Sequence, residues 1–170
     1  MHEELRDAYT RHKQIVISWI DLANAYGSIK HNLIQFALEW YHVPSLRRDL
    51  KYSYYNTLLF KISTKEWDST SLNFSIGLFQ GCILSTILFD IVFNLLLDLL
   101  SKHSEVAYLT KIASSQSLLK AYADDLTLIS NRVIGNQLLL DKTQNFLDWT
   151  ITMKAKPRKC RSLAAKFFTA

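Results

Sequence analysis

The chain has 170 residues, of which 49% are hydrophobic and 21% charged, so it can bury a packed core and is not a disordered chain. Its net charge of +5 suggests an anionic partner, and its few glycines and prolines argue against a fibrous protein. The two cysteines, Cys82 and Cys160, form neither a disulfide framework nor a zinc-ligand spacing, which favours a reducing compartment.

The first predicted strand carries the first candidate acid. Residues 1–13 are polar and are interpreted as a helical lead-in that is too charged to be a signal peptide. Residues 14–22 are apolar at both alternating positions, which predicts a strand buried on both faces. Asp21 lies at its end. Taken alone, it could be a strand-end turn, a helix N-cap, or a carboxylate held at the rim of a sheet.

Helices and a short hairpin are predicted between residues 23 and 76. The stretch 23–28 is turn-forming, and a helix over 31–42 precedes Pro44. A second helix over 45–56 has Ser45 as its expected N-cap. The further expectations are exposed side chains at Arg47, Arg48 and Lys51, and paired strands over 58–64 and 71–76.

A glycine-flanked loop precedes the longest apolar stretch of the chain. Gly77 and Gly81 lie on either side of Gln80, and glycine permits a positive φ or a close backbone approach. The loop is either an ordinary turn into a helix or a hydrogen-bonding element that suits phosphate. Residues 83–100 follow as a helix. Its polar residues recur at four-residue spacing, which indicates an amphipathic core helix rather than a membrane span (Asp90, Asn94 and Asp98).

Two adjacent acids, Asp124 and Asp125, lie between short apolar runs over 118–123 and 126–129. This arrangement predicts a β-hairpin with the acids at its tip. Two carboxylates about 6 Å apart repel by about 3 kcal/mol at an effective dielectric of 20, and a divalent cation would reverse that sign. The other interpretation is a solvated Asp-Asp turn, in which water screens the repulsion.

The last part of the chain combines a helix over 131–149 with a basic tail over 153–170. The tail has basic residues without acidic partners, which favours contact with an anion such as nucleic acid. The candidate nucleic-acid-binding residues of the tail are Lys154, Lys156, Arg158 and Arg161.

Three acids, Asp21, Asp124 and Asp125, are the side chains that a two-metal phosphoryl-transfer site needs. Mg²⁺ prefers oxygen ligands and uses few protein carboxylates, and two such ions can serve the attacking hydroxyl and the leaving pyrophosphate. The first acid is 103 positions from the pair, so a sheet that joins the two strand ends is required.

Four segments in order resemble the motifs of a reverse transcriptase palm, most of all in polymerases of non-long-terminal-repeat retrotransposons. They are WIDLANAYGSI (19–29), GLFQGCILSTILFDIVFN (77–94), AYADDL (121–126) and KAKPRKC (154–160). The resemblance covers residues 14–165 and leaves 166–170 as a tail. It implies an α+β fold, with an antiparallel sheet of about four strands packed on helices. It also implies that the protein works on an RNA template, a DNA primer and deoxynucleotides. The charged N-terminus, the free cysteines and the amphipathic helix lead us to expect an intracellular protein with no membrane partner.

The resemblance also assigns roles. It makes Asp21, Asp124 and Asp125 the catalytic ligands of two Mg²⁺ ions, for which Mn²⁺ can substitute. Tyr26 matches the aromatic residue that lies under the sugar and selects deoxynucleotides. The remaining assignments are to the incoming nucleotide, with the lysine as a candidate proton donor to pyrophosphate (Gln80, Gly81 and Lys159).

The chain also departs from the family pattern. The loop after Gln80-Gly81 commonly contains two prolines, and here it reads Cys82-Ile83-Leu84-Ser85-Thr86. Only 20 residues precede Asp21 and 11 follow Lys159, so we do not expect the family's fingers and thumb within these 170 residues. The alternative is therefore a catalytically inactive, truncated retroelement remnant that at most binds nucleic acid. A third reading is a host-recruited interaction protein.

Overall fold

The computed structural model describes residues 2–111 and 116–168, which form two compact units. The sheet unit contains residues 1–25 and 93–170, and the insert unit contains residues 26–92. The helices are α1 (His2–Thr10), α2 (Ala25–Ser28), α3 (His31–Trp40), α4 (Ser45–Thr57), α5 (Ile83–Ser101) and α6 (Val133–Thr150). The strands are β1 (Gln14–Ala23), β2 (Leu59–Phe60), β3 (Leu72–Asn73), β4 (Tyr108–Leu109), β5 (Gln116–Ser117), β6 (Leu119–Tyr122), β7 (Asp125–Ser130), β8 (Lys154–Ala155) and β9 (Arg161–Lys166).

An antiparallel five-stranded sheet organises the sheet unit, and β1 is its central strand. One edge of β1 pairs with β7, which in turn pairs with β6. The other edge is shared, because β9 pairs with residues 14–19 and β8 with residues 22–23. The predicted α+β class with an antiparallel sheet is confirmed, and the sheet has one strand more than expected.

β1 is central because both of its faces are apolar, as its sequence predicts. Ile15, Val16 and Ile17 are all at most 4% exposed. On the face of Ser18, the buried Asn136 of α6 accepts a hydrogen bond from the serine hydroxyl, and its amide contacts the carbonyl of Val16. Buried polar groups are tolerated when they are paired in this way, so this contact fixes α6 against the sheet without an unpaired donor.

Helix α1, expected as a helical lead-in, packs on the opposite face of the sheet. Its Ala8 is fully buried with Ile15, Ile17, Tyr108 and Ile129. A second set of contacts is polar. Asp7 accepts hydrogen bonds from the Tyr108 hydroxyl at 2.8 Å and the Lys111 amide at 3.1 Å, and it forms an ion pair with Arg11. These contacts attach α1 to the segment that leads into the Asp-Asp hairpin.

The insert unit follows the predicted order of helices, and β2 and β3 pair as predicted but over only two residues each. Helix α4 needs three corrections, the first of which is that Arg48 was expected to be exposed and is half-buried. Ser45 is the first helical residue rather than the N-cap, since the cap position is taken by Pro44, whose φ of −54° suits it. Lys51 was expected to be exposed but is buried, because it points back to α3 and donates to the His31 carbonyl at 3.2 Å. Burial lowers the pKa of Lys51, since the charged form loses solvent.

Helix α5 has the predicted amphipathic pattern. Asp90, Asn94 and Asp98 are exposed, and the apolar residues Phe89 and Leu96 are fully buried. Within the part of the chain that the structure describes, α5 is long and apolar enough to cross a membrane, judged by length and composition alone. Core helices of soluble proteins also meet this criterion. The unit boundary falls within it, between residues 92 and 93.

Candidate active site

The sheet places Asp21 directly opposite Asp125. The antiparallel register of β1 and β7 pairs Asp21 with Asp125 and Trp19 with Thr127. Directly opposed residues project to the same face, with Cβ atoms about 5 Å apart. The register therefore brings together two acids that are 104 positions apart in the chain, as the palm interpretation requires.

The hairpin tip is a two-residue loop made of Ala123 and Asp124. Tyr122 and Asp125 are the last paired residues on either side of it. Ala123 has a φ of +49°, while Asp124 has none of the positive values. A positive φ in a two-residue loop is typical of the primed turns, whose twist matches that of a hairpin. The turn leaves Asp124 half-buried and Asp125 exposed at the end of the strand.

Two lysine side chains form ion pairs with the carboxylate of Asp21. Lys156 Nζ lies 3.0 Å from Oδ1, and Lys159 Nζ lies 3.3 Å from Oδ2. The Lys156 ammonium is the main cause of a lowered pKa of Asp21; partial desolvation opposes it and Lys159 reinforces it. The sequence assigned Lys156 to nucleic acid and Lys159 to nucleotide, and the structure brings both to the first acid.

The turn that carries these lysines is attached to β1 through its backbone. The amide of Lys156 donates to the Asp21 carbonyl at 2.8 Å. The amides of Lys159 and Cys160 both return to the Lys156 carbonyl, at 2.9 and 3.1 Å. Strands β8 and β9 flank this turn and both pair with β1. The sheet therefore fixes the backbone that carries the two lysines.

An open cavity of about 530 Å³ lies beside the two acids within the sheet unit. Asp21 and Asp125 contribute the negative charges of its lining, and three basic side chains contribute the positive charges (Arg158, Lys159 and Arg161). Trp19 and Thr127, which sequence reasoning missed, also line it. Their shared register with the acids, two positions earlier on β1 and two later on β7, is the signal that could have identified them. Lys154 lies on β8 and does not line this cavity.

The donor set suits a hard divalent cation. Asp21 Oδ1 is buried and lacks a hydrogen bond of acceptable geometry, although the Lys156 ammonium is nearby. All three acids supply carboxylate oxygens, the ligands that Mg²⁺ prefers. Within residues 2–111 and 116–168, no three acidic, histidine or cysteine side chains are grouped closely enough to hold a metal as they stand.

The other predicted nucleotide-binding residues belong to the insert unit. Tyr26 stacks face to face on Phe89, with ring centroids 4.7 Å apart and planes 4° apart. Its carbonyl accepts from the Leu78 amide at 2.8 Å, which ties it to the glycine loop. Gln80 and Gly81 are exposed on that loop. Gly77 and Gly81 both have the positive φ that the sequence anticipated, +93° and +89°.

The two glycines of this loop should differ in their tolerance of alanine. A Cβ on Gly77 would lie 3.0 Å from the Cα of Gly27, whereas one on Gly81 would meet nothing within 4 Å. Both substitutions strain a positive φ, which costs on the order of 1–3 kcal/mol. We expect Gly77→Ala to lower the free energy of unfolding by more than Gly81→Ala, as measured by urea denaturation. Equal losses would contradict the close approach of Gly77 to Gly27.

Comparisons with known proteins agree on one family. Residues 2–168 match the family model described as reverse transcriptase (RNA-dependent DNA polymerase). The chain is 30% identical, over 176 residues, to the retrovirus-related Pol polyprotein from type-2 retrotransposable element R2DM of Drosophila melanogaster. That alignment covers 96% of this chain and 16% of the Pol polyprotein, so the chain spans about a sixth of its relative.

Solved structures with the same fold include telomerases. The telomerase from Candida tropicalis, in complex with a TWJ fragment of telomeric RNA, aligns with a TM-score of 0.72 at 13% identity over 96% of this chain and 28% of that one. Apo telomerase from the same organism, truncated from its C-terminal domain, aligns with a TM-score of 0.59 at 13% identity. That alignment covers 98% of this chain and 34% of the telomerase. At such low identity the likeness concerns the fold.

Proposed function

Because the chain belongs to the reverse transcriptase family and is of the non-long-terminal-repeat retrotransposon type, we propose that it is the catalytic palm of an RNA-directed DNA polymerase. Its reaction is the addition of a deoxynucleotide to a primer 3′-end on an RNA template. The observation that carries the proposal is the register that places Asp21 opposite Asp125, beside a cavity with three basic side chains. The palm extends over residues 14–165, and an intracellular location agrees with a retroelement polymerase.

Asp21, Asp124 and Asp125 are the proposed holders of two Mg²⁺ ions, or of Mn²⁺ in their place. When bound, such ions lower the pKa of the attacking hydroxyl and neutralise the leaving pyrophosphate. The protein contributes position, because β1 and β7 fix two of the carboxylates in one register and the tight turn fixes the third. Charges that are positioned in advance in this way account for much of the rate enhancement in enzymatic phosphoryl transfer.

The basic residues around the cavity would bind the triphosphate. Arg158 and Arg161 are exposed at its rim, and the Lys159 ammonium is 62% exposed, so all three can reach an anion from solvent. A lysine close to the leaving group can also give it a proton, and Lys159 is our candidate for this role. Lys154 and Lys156 are proposed to add phosphate contacts to the template–primer duplex, where basic side chains dominate affinity.

Selection of the nucleotide is assigned to the insert unit. Tyr26 is our candidate for the residue that excludes a ribose 2′-hydroxyl, since its stacking on Phe89 prevents the ring from turning away. Gln80 and Gly81 are proposed to contact the incoming nucleotide and the template. The open space around Gly81 leaves its backbone accessible for such a contact.

Primer extension tests this function. The purified chain would receive an RNA template annealed to a DNA primer, deoxynucleotides, and Mg²⁺ or Mn²⁺. We expect extension by the wild-type chain and none by an Asp124→Asn/Asp125→Asn variant, because that variant loses two of the three carboxylates. Circular dichroism would show that both proteins are folded.

The opposite result is equally informative. A folded wild-type chain that extends no primer would contradict the proposed activity. Salt-dependent binding of the duplex without synthesis would then support the inactive remnant, because phosphate contacts alone give a steep salt dependence.

A further inference from the structure

We propose that Lys156 and Lys159 are exchangeable counter-ions of Asp21, which occupy its carboxylate until a divalent cation replaces them. This inference rests on the proposed function, because it concerns how the polymerase site receives its metal. Once released, Lys159 neutralises the triphosphate that arrives with the metal, and Lys156 becomes free for the duplex phosphate contacts proposed for it above. The counter-ion role does not follow from the positions of these lysines in the sequence.

The geometry implies direct competition. Each ammonium takes a different oxygen, Oδ1 for Lys156 at 3.0 Å and Oδ2 for Lys159 at 3.3 Å, so both oxygens of Asp21 are engaged. The carboxylate is only 19% exposed, which limits other approaches. A bound Mg²⁺ lies about 2.1 Å from its oxygen ligand and would repel an ammonium about 3 Å from the same oxygen. The metal and the two lysines therefore exclude one another.

The exchange does not require the backbone to move. The Lys156 amide remains hydrogen-bonded to the Asp21 carbonyl, and the strands on either side of the turn remain paired with β1. The two lysine side chains are 38% and 62% exposed on flexible stems, so a change of rotamer is enough to release the carboxylate. After release, the ammonium groups remain close to the same carboxylate, because the backbone that carries them does not move.

The displaced ammonium groups need a new anion. Lys159 lines the cavity together with Arg158 and Arg161, so its release adds to a site that is already positive. A cation that arrives alone leaves this charge uncompensated, whereas a cation that arrives with a nucleoside triphosphate supplies the partner. Metal and nucleotide should therefore bind with positive coupling, and the coupling should depend on the two lysines.

Mn²⁺ binding, followed by electron paramagnetic resonance of the free ion, tests the competition without any turnover. The variants are Lys156→Gln, Lys159→Gln and the double variant. Lys102→Gln, an exposed lysine outside the cavity, is the matched control for one lost charge. Without nucleotide, each site variant should bind Mn²⁺ about two- to fivefold more tightly than wild type, the fold-change expected from one exposed ion pair. Addition of dATP should raise the Mn²⁺ affinity of wild type by a larger factor than the Mn²⁺ affinity of the double variant.

Amine labelling gives a second readout of the same exchange. Acetylation of Lys156 and Lys159, quantified by mass spectrometry, should be faster in Asp21→Asn than in wild type without metal. In the wild-type chain it should become faster when Mn²⁺ is added, whereas labelling of Lys102 should not change.

The outcomes separate the two proposals. Equal Mn²⁺ affinity in wild type and all variants, or labelling that Mn²⁺ does not change, overturns the exchange and leaves the polymerase proposal to the extension assay. Tighter binding in the lysine variants, together with no primer extension, supports the exchange and contradicts the activity. If no variant binds Mn²⁺, the double variant included, both proposals fail.

Discussion

Replacing Asp21 by asparagine should abolish primer extension, with a loss on the order of 100-fold or more in rate, and should leave the chain folded. Asparagine keeps the shape of the side chain but removes the charge that holds the metals, and metal-assisted stabilisation of a transition state is worth several kcal/mol. The fold should persist, because the register of β1 with β7 and β9 depends on backbone pairing and apolar side chains. Single-turnover extension and thermal unfolding would measure the two effects.

The matched control for Asp21→Asn is Asp90→Asn. Asp90 is exposed on α5 and undergoes the same chemical change. It should extend primers at the wild-type rate. A rate for Asp21→Asn within a few-fold of wild type would contradict the assignment of Asp21 as a metal ligand.

Some features of the candidate site could be predicted from the sequence alone, and others could not. The strand-end position of Asp21 and the hairpin position of Asp124 and Asp125 followed from local patterns. Their meeting required a register, and pairs such as Ile20 with Leu126 set it by burying apolar side chains on the face away from the acids. Only the resemblance to a known palm linked the two segments before the structure did. The metal-ligand roles of the three acids remain predictions.

The structure differs from expectation most clearly in the basic tail. Residues 161–166 were interpreted as part of a basic tail that contacts an anion, with no strand expected there, and they form β9 along more than half of β1. Most of β9 is exposed, so it lacks the apolar alternation that indicates a strand. Long-range pairing with β1 decides its conformation, and local sequence carries little of that information.

Lysines were the least predictable residues of the chain. Lys51 was expected on a solvated helix face and is buried under α3, and Lys156 was expected to face nucleic acid and lies on Asp21. A long side chain with a terminal charge can reach a partner about 6 Å from its own Cα, so sequence position constrains it weakly. The charge pattern thus favoured an anionic partner for the lysines, but it did not indicate that the partner of Lys156 is Asp21 of the same chain.

An ion pair between the buried Glu4 of α1 and the Asp-Asp hairpin should make the fold sensitive to acid. Glu4 is 5% exposed and forms an ion pair with Lys120 of β6, two residues before Tyr122. Burial alone would raise the pKa of Glu4, but Lys120 and the Ser117 hydroxyl outweigh it and lower the pKa from 4.5 to about 2. Because the folded chain binds the proton less tightly than the unfolded chain, this stabilisation is complete above pH 4.5 and is lost as the pH falls towards 2.

The free energy of unfolding should therefore fall by on the order of 3 kcal/mol through Glu4 alone between about pH 5 and pH 2. Urea denaturation of wild type and Glu4→Gln at several pH values would measure it. The variant should be less stable at pH 6 and should show a shallower decline, with the residual slope coming from carboxylates such as Asp7, whose pKa is also lowered because its hydrogen bonds outweigh its burial. Parallel curves of unfolding free energy against pH for the two proteins would contradict the lowered pKa of Glu4. Because Lys120 precedes Asp124 by only four residues, this ion pair connects α1 to the strand that leads into the hairpin tip.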